Sequence, residues 1–208
     1  MDKWNKTQVM KVRLGLRNLE NEFYQGRPVI HRDSRIDGGV YLGQGQREAI
    51  VVDFRKDHKL MDLYEKVKDK SLKNGVIKKS RILGAVYGAV KESMPRQDYE
   101  AVKEIINRYG VEEDGKISLG VFLEEGAGVC RHDALACAAL LERFKEEGIV
   151  KGRASLDRNS NHLGGHAWCR YTNSGGEVFI LDVAQNFLGR LEESLNEDRW
   201  AYQGPEDY

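Results

Sequence analysis

The sequence predicts an α+β fold, and three observations carry that expectation. Apolar residues recur at helical spacing through much of the first half. The segment Cys130 to Glu146 is apolar on most sides, as a buried helix must be. Three short strand-like runs follow it, the last two separated by a strong turn. Helices, then a buried helix, then an antiparallel sheet is the order of an α+β chain.

The elements follow in order. Val9, Val12, Leu16, Leu19 and Phe23 recur every three or four residues and predict an amphipathic helix ending near Gln25-Gly26. Pro28 to Gly39 is polar and predicts a loop. Val40–Leu42 and Ala49–Phe54 predict a hairpin around Gly43-Gln44-Gly45. Asp57 is placed to N-cap a helix through about Lys70, and Ser71 to Gly75 breaks the pattern. Ile82, Val86, Ala89 and Val90 mark a helix closed before Pro95; Tyr99, Val102, Ile105 and Ile106 mark another ending at Gly110. Gly148 stops the buried helix. Strands are expected over Arg153–Leu156, His166–Tyr171 and Val178–Val183, with Asn173 to Gly176 as the hairpin turn.

Composition narrows the function classes. Hydrophobic residues make up 40% of the 208, enough for a real core. Lys plus Arg and Asp plus Glu are 33 each, so the net charge of zero gives no argument for nucleic acid or an anionic membrane as partner, although a total says nothing of a local patch. No apolar run approaches the ~20 residues of a membrane span, and the first residues lack a signal-peptide core. The three cysteines, Cys130, Cys137 and Cys169, form no C-x-x-C pair and suit a reducing compartment. The expectation is a cytoplasmic protein without cofactor or metal.

The chemistry starts at Cys130. It follows Gly126-Ala127-Gly128-Val129 and opens the apolar helix. A helix N-terminus carries about half a positive charge and free N–H groups, and both stabilise a thiolate. His166 follows Gly164-Gly165 at the entry of a strand on which it shares a face with Trp168 and Arg170. Asp182 ends the apolar run Val-Phe-Ile-Leu, where a carboxylate is costly without a partner. Counting back from the turn puts Asp182 opposite the His166–Ala167 region, where it would orient the imidazole. Each residue alone has a plain structural reading; the register argument links two of them.

At these residues the chain resembles the transglutaminase-like superfamily, whose core is related to papain-like thiol enzymes. The segments are GAGVCRHDALACAALLERF, GGHAWCRY and VFILDVAQ, within about residues 118 to 188. The resemblance implies a catalytic triad of Cys130, His166 and Asp182. It also implies a papain/transglutaminase-like core over residues 116–208, behind a mainly helical extension over 1–115 that matches no named family. The activity implied is attack on amide or peptide carbonyls through a thioacyl intermediate, as a cysteine peptidase or amidohydrolase acting on a protein or peptide. The alternatives are acyl transfer to an amine, as in a protein-glutamine transglutaminase, and a binding module that keeps only the fold.

Other residues carry weaker expectations. Asp157 to Gly165 is polar and predicts a cleft-lining loop. Asn161, Gly165, Gly128 and Trp168 are the substrate-binding candidates, Trp168 as floor or packing. Gln185 and Asn186 fit either a site contact or a turn. Gln44 and Gln46 are possible second oxyanion donors. His162 and His166 have a metal-like spacing, but the intervening glycines and the lack of cysteine pairs weigh against zinc. Cys137 and Cys169 read as inert core thiols.

Overall fold

The structure, a computed structural model, describes residues 23–43, 48–112, 115–161, 164–196, 200–204 and 207. Most of the predicted helix over Val9–Phe23, and the residues Gln44, Gln46 and His162, lie outside them. Phe23 itself stands in a strand, β1 (Phe23–Tyr24), paired with β2 (Arg27–Pro28), so a helix does not reach Gln25-Gly26.

The chain then runs β3 (Val40–Leu42), β4 (Ala49–Val51), α1 (His58–Lys70), β5 (Leu72–Lys73), β6 (Val76–Ile77), α2 (Lys79–Ser93), β7 (Arg96–Gln97), α3 (Tyr99–Arg108), β8 (Lys116–Ser118), α4 (Leu119–Glu125) and β9 (Ala127–Gly128). The second half is α5 (Cys130–Glu146), β10 (Gly152–Asn161), β11 (Gly164–Asn173), β12 (Val178–Asp182), β13 (Phe187–Arg190) and a 3-10 turn over Leu191–Asn196. The fold is α+β.

Everything is arranged around α5. Leu135 to Leu141 and Phe144 are buried on every side of it. The sheet β10-β11-β12-β13 covers one flank, and α2 and α4 cover the other. The sheet is an antiparallel meander whose inner face presents Leu156, Ala167, Cys169, Tyr171 and Leu181 to the helix. One apolar core joins these residues to Ile30, Ile50, Leu60, Val86 and Phe122 from the first part of the chain. Burial of a Leu or Phe side chain contributes roughly 1.5–3 kcal/mol, so α5 is the largest single contributor to that core.

The outer face of the sheet is covered as well. Trp168, Ile180, Phe187, Leu191 and Tyr202 form a second cluster there. This second layer explains where the expected loop over Asp157 to Gly165 differs. β10 continues to Asn161 and β11 begins at Gly164, so the polar residues are strand residues with partners. Asp157 is fully buried and held by Arg32 through two hydrogen bonds, 2.8 and 3.0 Å. Polarity alone read as loop because these partners lie more than a hundred residues away.

The expected hairpin forms as β3–β4, with Val40 opposite Val51 and its second strand ending at Val51, and β8 adds to it in parallel. α1 starts at the expected cap, Asp57, and α3 is capped by Asp98. Helix α4 and strand β13 were not expected: seven residues containing a glycine and four containing another give too short a pattern to read.

Asp57 does more than cap. Its Oδ1 accepts the Leu60 N–H at 3.0 Å, and its Oδ2 accepts the Ser118 hydroxyl and the Gly120 N–H at 2.5 and 2.7 Å. A Cβ on Gly120 would lie 1.9 Å from that carboxylate. One buried side chain therefore caps α1 and anchors the start of α4. Asp57→Ala should cost about 2–4 kcal/mol, a lost cap plus stranded buried donors. Urea denaturation should show the lower midpoint, and a loss under about 0.5 kcal/mol, the range of ordinary surface changes, would refute the clamp.

Candidate active site

The route to Cys130 is set by three short pieces. α4 ends at Gly126, whose φ of 66° is left-handed and turns the chain sharply. β9 follows, held in parallel against β7 with Ala127 opposite Arg96 and Gly128 opposite Gln97. Val129 is the extended N-cap, and Cys130 is the first helical residue, partly buried. The thiol thus stands at the positive end of a 17-residue helix. At Gly128 a Cβ would press on Met94 Sδ at 3.0 Å and His132 Cβ at 3.2 Å, so that glycine serves packing.

His166 and Asp182 lie on adjacent strands. The register pairs Cys169 with Leu181, which continues to Asp182 opposite Trp168, just beyond the His166–Ala167 region that the sequence count gives. Asp182 therefore reaches His166 diagonally along one face. The contact is short: His166 Nε2 to Asp182 Oδ2 is 2.5 Å. Asp182 is further held by the Tyr202 hydroxyl at 2.9 Å and the Gln185 N–H at 3.0 Å. With Nε2 committed to Asp182, Nδ1 is the ring nitrogen left for the thiol, and Cys130 and His166 lie close enough for each to shift the other's pKa.

The electrostatics follow from these contacts. Burial alone would raise the Cys130 pKa; the His166 hydrogen bond and charge, the Ala167 N–H and the Arg131 charge together lower it. Burial alone would lower that of His166; its bonds to Asp182 and Cys130 outweigh this and raise it to about 9. The two shifts, the thiol downward and the imidazole upward, both favour the thiolate–imidazolium pair over the neutral pair. Cys137 and Cys169 are fully buried, with pKa values pushed well up by burial.

An aromatic wall backs the imidazole. The Trp200 ring centroid is 4.9 Å from that of His166, and Trp168 lies 6.0 Å away, in T-contact with Tyr202. Trp200 Nε1–H donates to Asn159 Oδ1, and Asn159 Nδ2 donates to the Ala201 carbonyl at 2.9 Å. Asn159 is the strand partner of His166. Sequence reasoning missed Asn159, Trp200 and Tyr202. The spacing Trp-x-Tyr was a usable signal, since alternate residues share a face, but nothing in the chain order said which face.

Two polar groups flank Cys130 inside the core. Glu48, from the hairpin side, accepts from Arg131 Nε at 2.8 Å and from its NH2 at 2.5 Å. His132 Nδ1 accepts the Val129 N–H at 3.1 Å, and its Nε2 lies 3.3 Å from Glu48 but misaligned for a hydrogen bond. Burial would raise the Glu48 pKa, and contacts with His132 and Arg131 hold it instead at about 2; burial lowers His132 to about 4. His132 is accordingly neutral near pH 7, and Arg131 is the cation that pairs with Glu48. This trio fixes the first turn of α5. On the other side, Asp133 is 2% exposed. Its Oδ1 accepts from Gln97 Nε2 at 3.1 Å, while its Oδ2 has no partner among the described residues.

The substrate-binding candidates differ in exposure. Trp168 is fully buried in the outer cluster, which is the packing role of the two expected for it. Gly128 is buried against Met94 and His132. Gly165 is exposed beside His166, and Asn161 pairs with Gly164 at the end of β10. Gln185 takes the turn role through its backbone, and Asn186, at φ 54°, accepts from Lys91 Nζ at 2.7 Å. Gln97, the strand partner of Gly128, has its side-chain amide committed to the Met94 carbonyl and Asp133.

Compared with known proteins, the chain matches no family model, no curated protein and no solved structure.

Asp133 generates a prediction. Burial first, then the negative charges of Cys130 and Asp182, raise its pKa well above the usual range. The folded state therefore keeps a proton that the unfolded chain loses near pH 4. Folding stability from this group falls as pH rises above about 4, by up to about 1.4 kcal/mol per unit. Asp133→Asn cannot ionise, so its stability relative to the parent should rise with pH over that range. Urea titrations at several pH values check this, and parallel stability profiles for the two proteins would refute it.

Proposed function

We propose that the protein is a cysteine-dependent enzyme that attacks amide or peptide carbonyls. The observation that carries this reading is the His166–Asp182 contact of 2.5 Å, beside a thiol, Cys130, that opens a buried helix and whose pKa His166 lowers. The order of a nucleophile helix followed by an antiparallel sheet bearing the base and the acid supports a papain/transglutaminase-like core.

In this reading the Cys130 thiolate attacks the carbonyl carbon, and the oxyanion that forms is met by the Cys130 N–H at the helix start. The C–N bond breaks as His166 gives its proton to the leaving amine. The thioester then passes its acyl group to water or to a second amine, with His166 removing the attacking proton and the sulfur leaving as thiolate. Asp182 keeps the ring oriented and stabilises its charged form. Hydrolysis is preferred over transfer to an amine. Among the described aromatic residues near His166, Trp168 and Tyr202 are buried behind the ring, and of these Trp200 alone is left to wall a dry channel for an incoming amine.

The thiol chemistry has a direct test. Iodoacetamide at pH 6 should label Cys130 at least tenfold faster than Cys137 or Cys169, because the thiolate is the reactive form. The rate should fall as pH drops through the lowered Cys130 pKa. Equal slow labelling of all three cysteines would sink the enzyme reading and favour a binding module. Incubation with a glutamine-containing protein and a fluorescent amine separates the reactions: ammonia or new termini without incorporation supports hydrolysis, and incorporation supports transfer. Cys130→Ala should abolish either product. Asp182→Asn should lower kcat by on the order of 10²–10⁴ with little change in KM.

A further inference from the structure

A net charge of zero hides an asymmetry. Between Lys66 and Arg81 the chain carries six lysines and Arg81 against the single acid Asp69. Part of this is neutralised in place. Lys66 and Lys70 share Glu92 at 3.1 and 2.6 Å, and Lys68 meets Glu147 at 3.3 Å. Lys73, Lys78 and Lys79 are exposed and form no ion pair among the described residues.

These free cations surround an apolar tip. Asn74 and Gly75, both left-handed at φ 55° and 74°, close the β5–β6 hairpin in the manner of an Asn-Gly turn. The hairpin leaves Val76 57% and Leu72 37% exposed beside Lys73. At its foot opens a cavity of about 460 Å³, floored by Ile82, Leu83, Val150 and Phe179, with Lys79 and Lys151 in its wall. Apolar surface ringed by lysine therefore occurs twice on one side of the molecule.

We propose that this hairpin, with the first turn of α2, docks the protein onto an anionic lipid bilayer. Val76 and Leu72 enter the headgroup layer, and Lys73, Lys78, Lys79 and Lys151 face the lipid phosphates and carboxylates. Burial of apolar side chains and attraction of lysines to the surface together give reversible peripheral binding. No helix among the described residues is long and apolar enough to cross a membrane, and such docking needs none. Nucleic acid suits the patch less well. Its free cations are all lysines, Arg81 is engaged with the Leu72 carbonyl, and residues 66–81 contain no aromatic ring on which a base can stack.

The patch also sits away from the thiol. Glu147, Val150 and Lys151 belong to it or touch it just beyond the C-terminal end of α5, whereas Cys130 begins that helix. Seventeen residues at 1.5 Å each separate the two by about 25 Å. A docked molecule keeps its Cys130 end off the bilayer, and the docking does not depend on the proposed thiol chemistry.

Flotation with vesicles tests the proposal, using phosphatidylcholine alone and phosphatidylcholine mixed with phosphatidylserine. The intact chain should float with the mixed vesicles and not with the neutral ones, and binding should weaken as salt rises. The triple change Lys73→Glu, Lys78→Glu, Lys79→Glu should reduce partitioning by on the order of a hundredfold or more. Val76→Ser should reduce it severalfold without changing the salt dependence. Both variants should keep the parent circular dichroism and Cys130 labelling rate. Equal flotation with both vesicle types, no flotation, or a single-stranded RNA that binds the patch more tightly than the mixed vesicles would each overturn the proposal.

Discussion

The structure depends on one constraint: a helix buried on all sides must begin with its polar end inside the protein. α5 carries its first-turn residues Arg131, His132 and Asp133 into the core, each almost inaccessible. Four N–H groups at a helix start lack partners within the helix, and charged side chains are costly to bury alone. The fold answers with contacts from three directions. Glu48 takes Arg131, His132 returns to the Val129 N–H, and Gln97 takes Asp133. These partners come from the strand β4 side, from the helix itself and from β7. Fixing the helix start in this way fixes Cys130.

The same constraint explains why burial is offset at the thiol and not at Asp133, so that the Cys130 pKa falls while that of Asp133 rises. Cys130 gains the His166 charge and a backbone N–H from Ala167. Asp133 gains a neutral amide and a smaller pull from the His166 charge, and it faces two anions, Cys130 and Asp182. A second ionised group three residues along the helix would push the thiolate back toward the thiol. Keeping Asp133 protonated removes that penalty, and Gln97 supports this because an amide donor satisfies one oxygen without adding charge.

How much of this was legible in the sequence varies with the range of the interaction. α1, α3 and α5 were readable because capping residue and apolar period are local. The hairpin placing Asp182 near His166 was readable in outline, since a turn fixes register, but the diagonal offset was not, because turn length alone left it open. Glu48 lies 83 residues from Arg131, and Arg32 lies 125 from Asp157. Nothing local to either acid announces its partner, which is why the second half of β10, from Asp157, looked like a loop. Asn159, Trp200 and Tyr202 were hidden for the same reason: their role exists only once the segment after β13 lies back across the outer face of the sheet.

That returning segment bears on the imidazole more than on stability at large. His166 must carry charge while mostly enclosed, and its Asp182 partner must stay aligned. Tyr202 holds Asp182 Oδ2, the same oxygen that meets His166, and Trp200 covers the ring while tied to Asn159. Water admitted here would compete for the carboxylate and weaken the contact that raises the His166 pKa. The three aromatic and amide residues therefore act on the charge state of the imidazole through exclusion of solvent. The charges at one end of α5 are set by burial and pairing, while the lysines Lys73, Lys78 and Lys79 near its other end remain free for solvent or a surface. A single buried helix keeps the two requirements apart, because partners drawn to neutralise one end cannot reach the other.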